Sequence, residues 1–147
     1  MGRRGFTLIE MLIVMSLIGV VSAFALPRMA NTMRREAARS ARREIATQVM
    51  RARNAAAQRG CRATLHISSS SDRVWVTACK TSGTGVDTIG TVTDVAARYK
   101  VNMVATADSL PFAANSLGLG TSTILFAFAR GTNWITMSVT PVGRATW

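Results

Sequence analysis

The sequence contains few side chains that could take part in catalysis or bind a metal. It has one histidine, His66, and two cysteines, Cys61 and Cys79, and these three residues do not have the spacing of a metal site. No plausible nucleophile and base pair, no clustered carboxylates and no phosphate-binding glycine loop accompany them. The sequence therefore predicts a protein that is not an enzyme and that binds neither a metal nor a cofactor.

One ionisable residue has an unusual position, because Glu10 is the only charge in an apolar run from Phe6 to Leu26. A helix of this length, at about 1.5 Å per residue, is roughly as long as the hydrocarbon core of a bilayer is thick. A charged side chain near the bilayer centre costs at least about 2.5 to 3.5 kcal/mol on insertion scales. An ordinary membrane anchor is thus possible, but it leaves Glu10 unexplained.

A secretory signal peptide is the second interpretation of this N-terminus. Ala23, Phe24 and Ala25 form a small-x-small pattern like a cleavage site, and the pair Arg3 and Arg4 is similar to a twin-arginine export signal. A carboxylate near the start of the apolar region fits such a peptide poorly. A third interpretation accounts for Glu10.

The stretch GFTLIE, from Gly5 to Glu10, resembles the processing motif of type IV pilins and of type II secretion pseudopilins. The resemblance implies that residues 1–5 are a leader, that the prepilin peptidase cuts between Gly5 and Phe6, and that the new N-terminal Phe6 is methylated. Residues 6–27 then form a helix that spans the membrane and enters the filament core. Gly19 and Pro27 fall where the family's helix loosens on assembly and where it kinks.

The resemblance also gives Glu10 a partner. An intramembrane carboxylate is tolerable when it is paired, and the cation in a filament would be the free amine of Phe6 on a neighbouring subunit. Such a pair would fix the axial register of the subunits, because either partner left alone in an apolar surround is costly.

Residues 28–60 are predicted to continue the helix, with Gly60 as its C-terminal stop. A narrow stripe of small apolar residues lies within about 40° of Ile45 on a helical wheel and would let a sheet approach closely. It consists of Ala38, Ala41, Ile45, Val49, Ala52 and Ala56. Arginines 35, 39, 43 and 51 face away from this stripe.

The positive charge of the chain is concentrated beside the apolar run. Ten arginines and two glutamates between positions 28 and 62 leave a net charge of +8 out of +11 for the whole chain, whereas residues 63–147 carry only +2. Such a stretch could meet anionic lipid headgroups, acidic neighbours or nucleic acid, or could simply be a solvated helix face.

After Cys61 the period of the pattern changes from 3.6 to 2, which predicts a hairpin. Its strands are 62–68 and 74–78, and a turn of three serines, Ser69 to Ser71, would place Cys61 opposite Cys79. Cross-strand cysteines are within reach of a disulfide, and an exported chain could close it. The alternative is two buried thiols. His66 is predicted to lie on the solvent side of its strand.

The remaining chain predicts an antiparallel sheet or a small β-sandwich. Residues 81–93 are rich in Gly, Ser and Thr and predict a mobile loop, whereas 98–105, 121–129 and 133–140 predict strands. The fold class is therefore α+β: a long N-terminal helix, transmembrane in its first half and amphipathic in its second, packed on a β-rich domain of residues 61–147.

Two segments near the C-terminus indicate which branch of this family the chain resembles most. Residues 135–144, which end in Gly143 and Arg144, resemble the closing strand and Gly-Arg turn of the H-type (GspH) minor pseudopilins and the FimT-like minor pilins, and residues 112–118 resemble that family's preceding turn. The resemblance implies a structural subunit that helps to initiate or cap a filament in protein secretion or pilus assembly. The alternative is a DNA-binding minor pilin for natural transformation, with Arg144 on phosphate. Thr146 stands where a second arginine would be.

The same resemblance implies the location and the partners. The chain would cross the bacterial inner membrane once, with its C-terminal domain in the periplasm, and would assemble into a periplasmic or surface filament. Its partners would be other pilin or pseudopilin subunits, the prepilin peptidase, the assembly platform of the inner membrane and, in the alternative function, DNA.

Overall fold

The computed structural model describes residues 6–115 and 117–147 and confirms the α+β fold. Its elements in chain order are α1 (Leu8–Arg59), β1 (Ala63–Ser68), β2 (Arg73–Cys79), β3 (Val86–Thr88), β4 (Thr93–Asp94), α2 (Val95–Tyr99), β5 (Asn102–Ala105), β6 (Ser109–Phe112), β7 (Ile124–Arg130), β8 (Asn133–Val139) and β9 (Ala145–Thr146). The chain divides into two compact units, residues 1–34 and 35–147.

The unit of residues 35–147 contains two antiparallel sheets. One sheet has the strand order β3-β2-β1-β6, with β4 also paired to β2, and the other has the order β5-β7-β8-β9. Alternate residues of the strands are buried, as in β1 and β7, and they share one hydrophobic core with the C-terminal half of α1. The predicted sheet or sandwich is thus present as two sheets.

The predicted stripe of α1 is the part of the helix that enters this core. All six of its residues are at most 1% exposed. Small side chains on a helix let the strands approach its backbone closely, which explains why alanine dominates the stripe. The helix ends at Arg59, and Gly60 follows with φ +61, the left-handed conformation that glycine adopts at no steric cost. Arg35, Arg39 and Arg43 are exposed, but Arg51 is half-buried and donates to Gln48.

The register predicted for the first hairpin is wrong by one residue. Ala63 pairs with Ala78, not with Thr77, because the turn has four residues and includes Asp72, which adopts a left-handed φ of +50. Cys61 consequently lies before β1 and outside the ladder. The structure nevertheless contains the disulfide between Cys61 and Cys79, with a Cα–Cα distance of 6.3 Å. It links the end of α1 to the end of β2.

Removal of this disulfide is expected to destabilise the domain. The bond closes a loop with a sequence separation of 18, and loops of this length give about 3 kcal/mol in the chain-entropy model. Chemical denaturation of the full chain in detergent should show this loss for the double variant Cys61→Ser, Cys79→Ser. Wild type kept under reductant is the matched control and should unfold like the variant. An unchanged unfolding midpoint would contradict the prediction.

Two further expectations about the strands are wrong, and two strands are missing from the prediction. The segment 81–93, expected to be a loop, contains β3 and the start of β4. The expected strand at 98–105 is divided, because Asp94 caps α2 by accepting the Ala97 N–H at 2.7 Å, and only residues 102–105 are extended. Strands β6 and β9 were not predicted at all.

Candidate functional site

The first candidate site is the start of α1, where Thr7 and Glu10 form an N-terminal cap. The Thr7 hydroxyl accepts the backbone N–H of Glu10 at 3.3 Å, and the helix begins at Leu8. Thr-x-x-Glu is the pattern of a capping box, a signal that the sequence carries but that was not recognised in it. In this cap it is the backbone N–H of Glu10, and not its carboxylate, that bonds to Thr7. Within the described residues its carboxylate makes no ion pair.

Among the described residues, the side chains of α1 from Leu8 to Phe24 have no packing partner within their own unit. Every residue from Phe6 to Phe24 is exposed, and Phe6 itself is 78% exposed. Among the described residues α1 is the one helix whose length and composition would let it cross a membrane, a test that a signal sequence also passes. Exposed apolar surface on this scale is typical of a helix that lies in lipid or packs against other helices.

Gly19 and Pro27 lie within this continuous helix. A Cβ added to Gly19 would meet nothing within 4 Å, so packing inside the chain does not require a glycine there. Glycine in a helix interior costs about 0.5 to 1 kcal/mol relative to alanine. The α-helix continues through position 27, where a proline has no N–H to donate. The predicted leader and its cleavage residue Gly5 lie outside the described residues.

The second candidate site is the turn that carries Gly143 and Arg144. The Thr140 N–H donates to the Arg144 carbonyl at 2.9 Å, and the Thr140 hydroxyl accepts the Arg144 N–H at 3.1 Å. Gly143 has φ +76, and an added Cβ would lie 2.7 Å from Phe112 and 2.8 Å from Arg53. The turn is therefore packed tightly between β6 and α1, and only glycine fits its tip.

The two C-terminal segments singled out in the sequence meet each other in the structure. Gly118 pairs with Phe112 as an isolated bridge, and the N–H of Leu119 donates to the Pro111 carbonyl at 2.8 Å. A Cβ added to Gly118 would lie only 1.3 Å from the carbonyl oxygen of Pro141. The sequence predicts both turns, but it does not indicate that one backbone rests on the other.

Arg144 lies on an open groove of about 480 Å³ whose lining includes Arg53. The side chain of Arg144 is exposed, and the groove is otherwise lined largely by apolar side chains such as Met50, Leu117 and Val142. Thr146, two residues further on, is bonded through its hydroxyl to Ser138 at 2.6 Å. The Arg42 guanidinium stacks over the ring of Trp147 at 4.9 Å. Arg144 is thus the exposed cation of this groove.

Polar contacts connect α1 to α2 and β4. Buried Gln48 donates to Glu44 and to Thr93, both at 3.0 Å, and the Tyr99 hydroxyl donates to Glu44 at 3.2 Å. Burial raises the pKa of Tyr99, and the adjacent Glu44 carboxylate raises it further. The Ala97 N–H that caps α2 lowers the pKa of Asp94. These contacts hold elements together and do not assemble a reactive group.

The lone histidine lies on the outer face of its sheet, as predicted. His66 stacks on Trp75 with ring centroids 5.1 Å apart and shares a hydrogen bond of 2.9 Å with the Thr77 hydroxyl. Partial burial lowers the pKa of His66, so the ring is neutral at neutral pH. Across the described ranges, no group of three or more His, Cys, Asp or Glu residues could hold a metal ion.

Comparison with known proteins bears on the N-terminus and on the fold. Residues 1–26 match the family model of the prokaryotic N-terminal methylation motif. The sequence matches no curated protein. The structure is similar to that of the type IV minor pilin FimU of Pseudomonas aeruginosa in two crystal forms. The first has a TM-score of 0.60 and 14% identity, with 76% of this chain and 88% of that chain covered. The second has a TM-score of 0.56 and 16% identity, with coverages of 74% and 90%.

At these identities the similarity shows a shared fold. The motif and the fold together are consistent with the superfamily of pilins and pseudopilins, and they favour the third interpretation of the N-terminus over the signal peptide and the ordinary anchor.

Proposed function

We propose that this chain, which carries the N-terminal methylation motif and has the fold of a minor pilin, is a structural subunit of a type IV pilus or of a type II secretion pseudopilus. Its role is to help initiate or cap the filament. The observation that carries the proposal is the apolar segment of α1 from Leu8 to Phe24, which is exposed throughout, lies within the matched motif and has a single carboxylate at Glu10.

The proposed parts of the chain follow from this role. Residues 1–5 are the leader, 6–27 the segment that lies first in the bacterial inner membrane and then in the filament core, and 28–60 the amphipathic helix. Residues 61–147 form the globular domain in the periplasm. Partners are other subunits, the prepilin peptidase and the inner-membrane assembly platform. The helix properties that support this assignment are its exposed apolar surface and a glycine at position 19 that the chain's own packing does not require.

DNA binding is the second proposal, and one observation favours it. Arg144 is exposed on an open groove, where its guanidinium can reach a phosphate backbone. The support is weaker, because Thr146 replaces the second arginine of the Gly-Arg-x-Arg pattern and its hydroxyl is bonded to Ser138. Residues 63–147 also carry a net charge of only +2. The structural role is therefore the principal proposal.

Processing of the N-terminus tests the principal proposal. The full chain, expressed together with a prepilin peptidase, should lose residues 1–5 and gain one methyl group on the new N-terminal Phe6, as measured by intact mass and peptide mapping. Gly5→Val should abolish this cleavage, because a side chain at the cleaved bond obstructs the protease. Gly2→Val is the matched control, since it changes a leader glycine away from the bond and should be cleaved normally.

Each other outcome has a definite meaning. Cleavage after Ala25 would identify the run as a secretory signal peptide, and an uncleaved chain that stays in the membrane would identify an ordinary anchor. Either result would overturn the proposed function.

A further inference from the structure

The backbone of β8 has polar groups that point away from its neighbour β7. The hairpin of β7 and β8 closes at Arg130 and Asn133, so odd-numbered residues of β8 form the hydrogen-bonded pairs with β7. On the opposite side, the Thr140 N–H donates to the Arg144 carbonyl, so even-numbered residues face β9. The pairing at both ends of β8 thus gives the same result: odd-numbered residues bond to β7, and even-numbered residues face the opposite side. The N–H and C=O groups of Trp134 and Thr136 therefore point outward.

Among the described residues, strand β9 does not cover these groups. It pairs only with Ser138 and Val139, at the C-terminal end of β8. Within 6–115 and 117–147, the hydrogen bonds outside the ladders include none to the backbone of Trp134 or Thr136. This part of β8, residues 133–137, is therefore an open edge.

The other long edges of the two sheets are protected. The outward N–H of Met103 in β5 donates to the Asp72 carboxylate and that of Ala105 donates to the Ser69 hydroxyl, so the turn of the first hairpin covers this edge. The edge of β6 is covered by the segment that includes Leu119, whose N–H donates to Pro111. Strand β3 has only three residues, and short edges resist pairing. The open edge belongs to a strand of seven residues.

The surroundings of the open edge indicate what would bind there. A groove of about 480 Å³ beside it is lined by Arg35 and Arg39 of α1 and by Trp134, which is 65% exposed. None of the lining residues is acidic. Arg35 donates to the Asn133 side chain at 3.3 Å, and Arg39 pairs with Glu36 at 2.6 Å on the exposed helix surface. A surface pair of this kind is weak and exchanges readily with another carboxylate.

We propose that the open edge binds an extended, acidic segment of a partner protein by strand addition. The segment pairs with β8, in line with β9, and exchanges backbone hydrogen bonds with Trp134 and Thr136. Its carboxylates meet Arg35 and Arg39, and an alternate apolar side chain covers the ring of Trp134. Backbone pairing gives the affinity, and the two guanidinium groups select acidic partners over basic ones.

A synthetic peptide tests this proposal on the full chain in detergent micelles. The probe is the end-capped peptide Asp-Val-Thr-Val-Thr-Val-Asp, with binding measured by amide chemical shifts and by hydrogen exchange. We expect binding below about 1 mM and slower exchange at the amides of Trp134 and Thr136. Thr136→Pro removes one outward N–H and should weaken binding at least tenfold, whereas the matched control Thr136→Val keeps the backbone and should bind normally. The double variant Arg35→Glu, Arg39→Glu should weaken binding to a similar extent.

Two modified peptides keep the test independent of the folding of any variant. One is N-methylated at its odd-numbered amides and the other at its even-numbered amides, so only one of them can pair with the edge. Equal binding of the two, equal binding of a peptide with lysine in place of aspartate, or the absence of protection at Trp134 and Thr136 would each overturn the proposal. Concentration-dependent protection of these amides without peptide would assign the edge to a second copy of the chain instead, and would also overturn it.

Discussion

Gly118→Ala is expected to destabilise the folded domain by about 3 kcal/mol or more, or to prevent its folding. The added Cβ would lie 1.3 Å from the carbonyl oxygen of Pro141 and 2.5 Å from its carbonyl carbon. Both atoms belong to the backbone, so no rotation of a side chain relieves the overlap. Either the bridge from Gly118 to Phe112 or the turn from Thr140 to Arg144 has to move. Chemical denaturation of the full chain in detergent measures the loss.

Gly120→Ala is the matched control for this substitution. Its added Cβ would meet Leu110 at 3.5 Å and the Ser122 carbonyl at 4.0 Å, which are ordinary van der Waals contacts. The same change of residue type two positions away should therefore alter the free energy of unfolding by no more than about 0.5 kcal/mol. Similar losses in the two variants would contradict the prediction, because the approach to Pro141 exists only at Gly118, and the lower entropy of the unfolded chain would by itself stabilise both alanine variants.

The part of the fold that the sequence predicts well is the part set by local periodicity. The stripe centred on Ile45 is predicted correctly because each of its residues is placed by the 3.6-residue repeat of one helix, whatever the helix packs against. The same holds for the burial of Phe126 and Phe128 in β7, where an alternation of two residues decides the face.

The errors arise where one residue changes the conformation of the chain. Asp72 adopts a left-handed conformation that few residues other than glycine favour, and this adds one residue to the turn and shifts the hairpin register. Asp94 starts a helix of five residues, too short for periodicity to reveal. Strand β6 contains a proline and has only four residues, and its pairing with β1 depends on a partner distant in sequence.

The candidate sites divide in the same way. The position of Glu10 is evident from the sequence because its neighbours are apolar, and the Thr7 cap could have been found from the Thr-x-x-Glu pattern. The approach of Gly118 to Pro141 could not have been predicted from the sequence, because it depends on how two turns meet in three dimensions. The open edge depends likewise on the length of β9 relative to β8.

Glu10→Ala is expected to leave cleavage after Gly5 intact and to reduce incorporation into a filament by about a hundredfold or more. In the proposed filament the Glu10 carboxylate pairs with the amine of the mature Phe6 on a neighbouring subunit. Removal of one partner of a buried ion pair costs about 3 to 5 kcal/mol, because the other charge is left without compensation. The cleaved subunit should then accumulate in the membrane. Fractionation of sheared filaments and membranes, with the chain detected by immunoblot, gives the ratio.

Glu10→Gln separates the charge from the helix cap. Glutamine matches glutamate in size and is equally suited to a capping box, and the bond from the backbone N–H of residue 10 to the Thr7 hydroxyl stays in place, so this variant keeps the start of α1. It removes only the negative charge. If the carboxylate acts by pairing with an amine, Glu10→Gln should have an assembly defect as severe as that of Glu10→Ala. If residue 10 matters only as part of the cap, Glu10→Gln should assemble normally, and that result would contradict the pairing of Glu10 with Phe6.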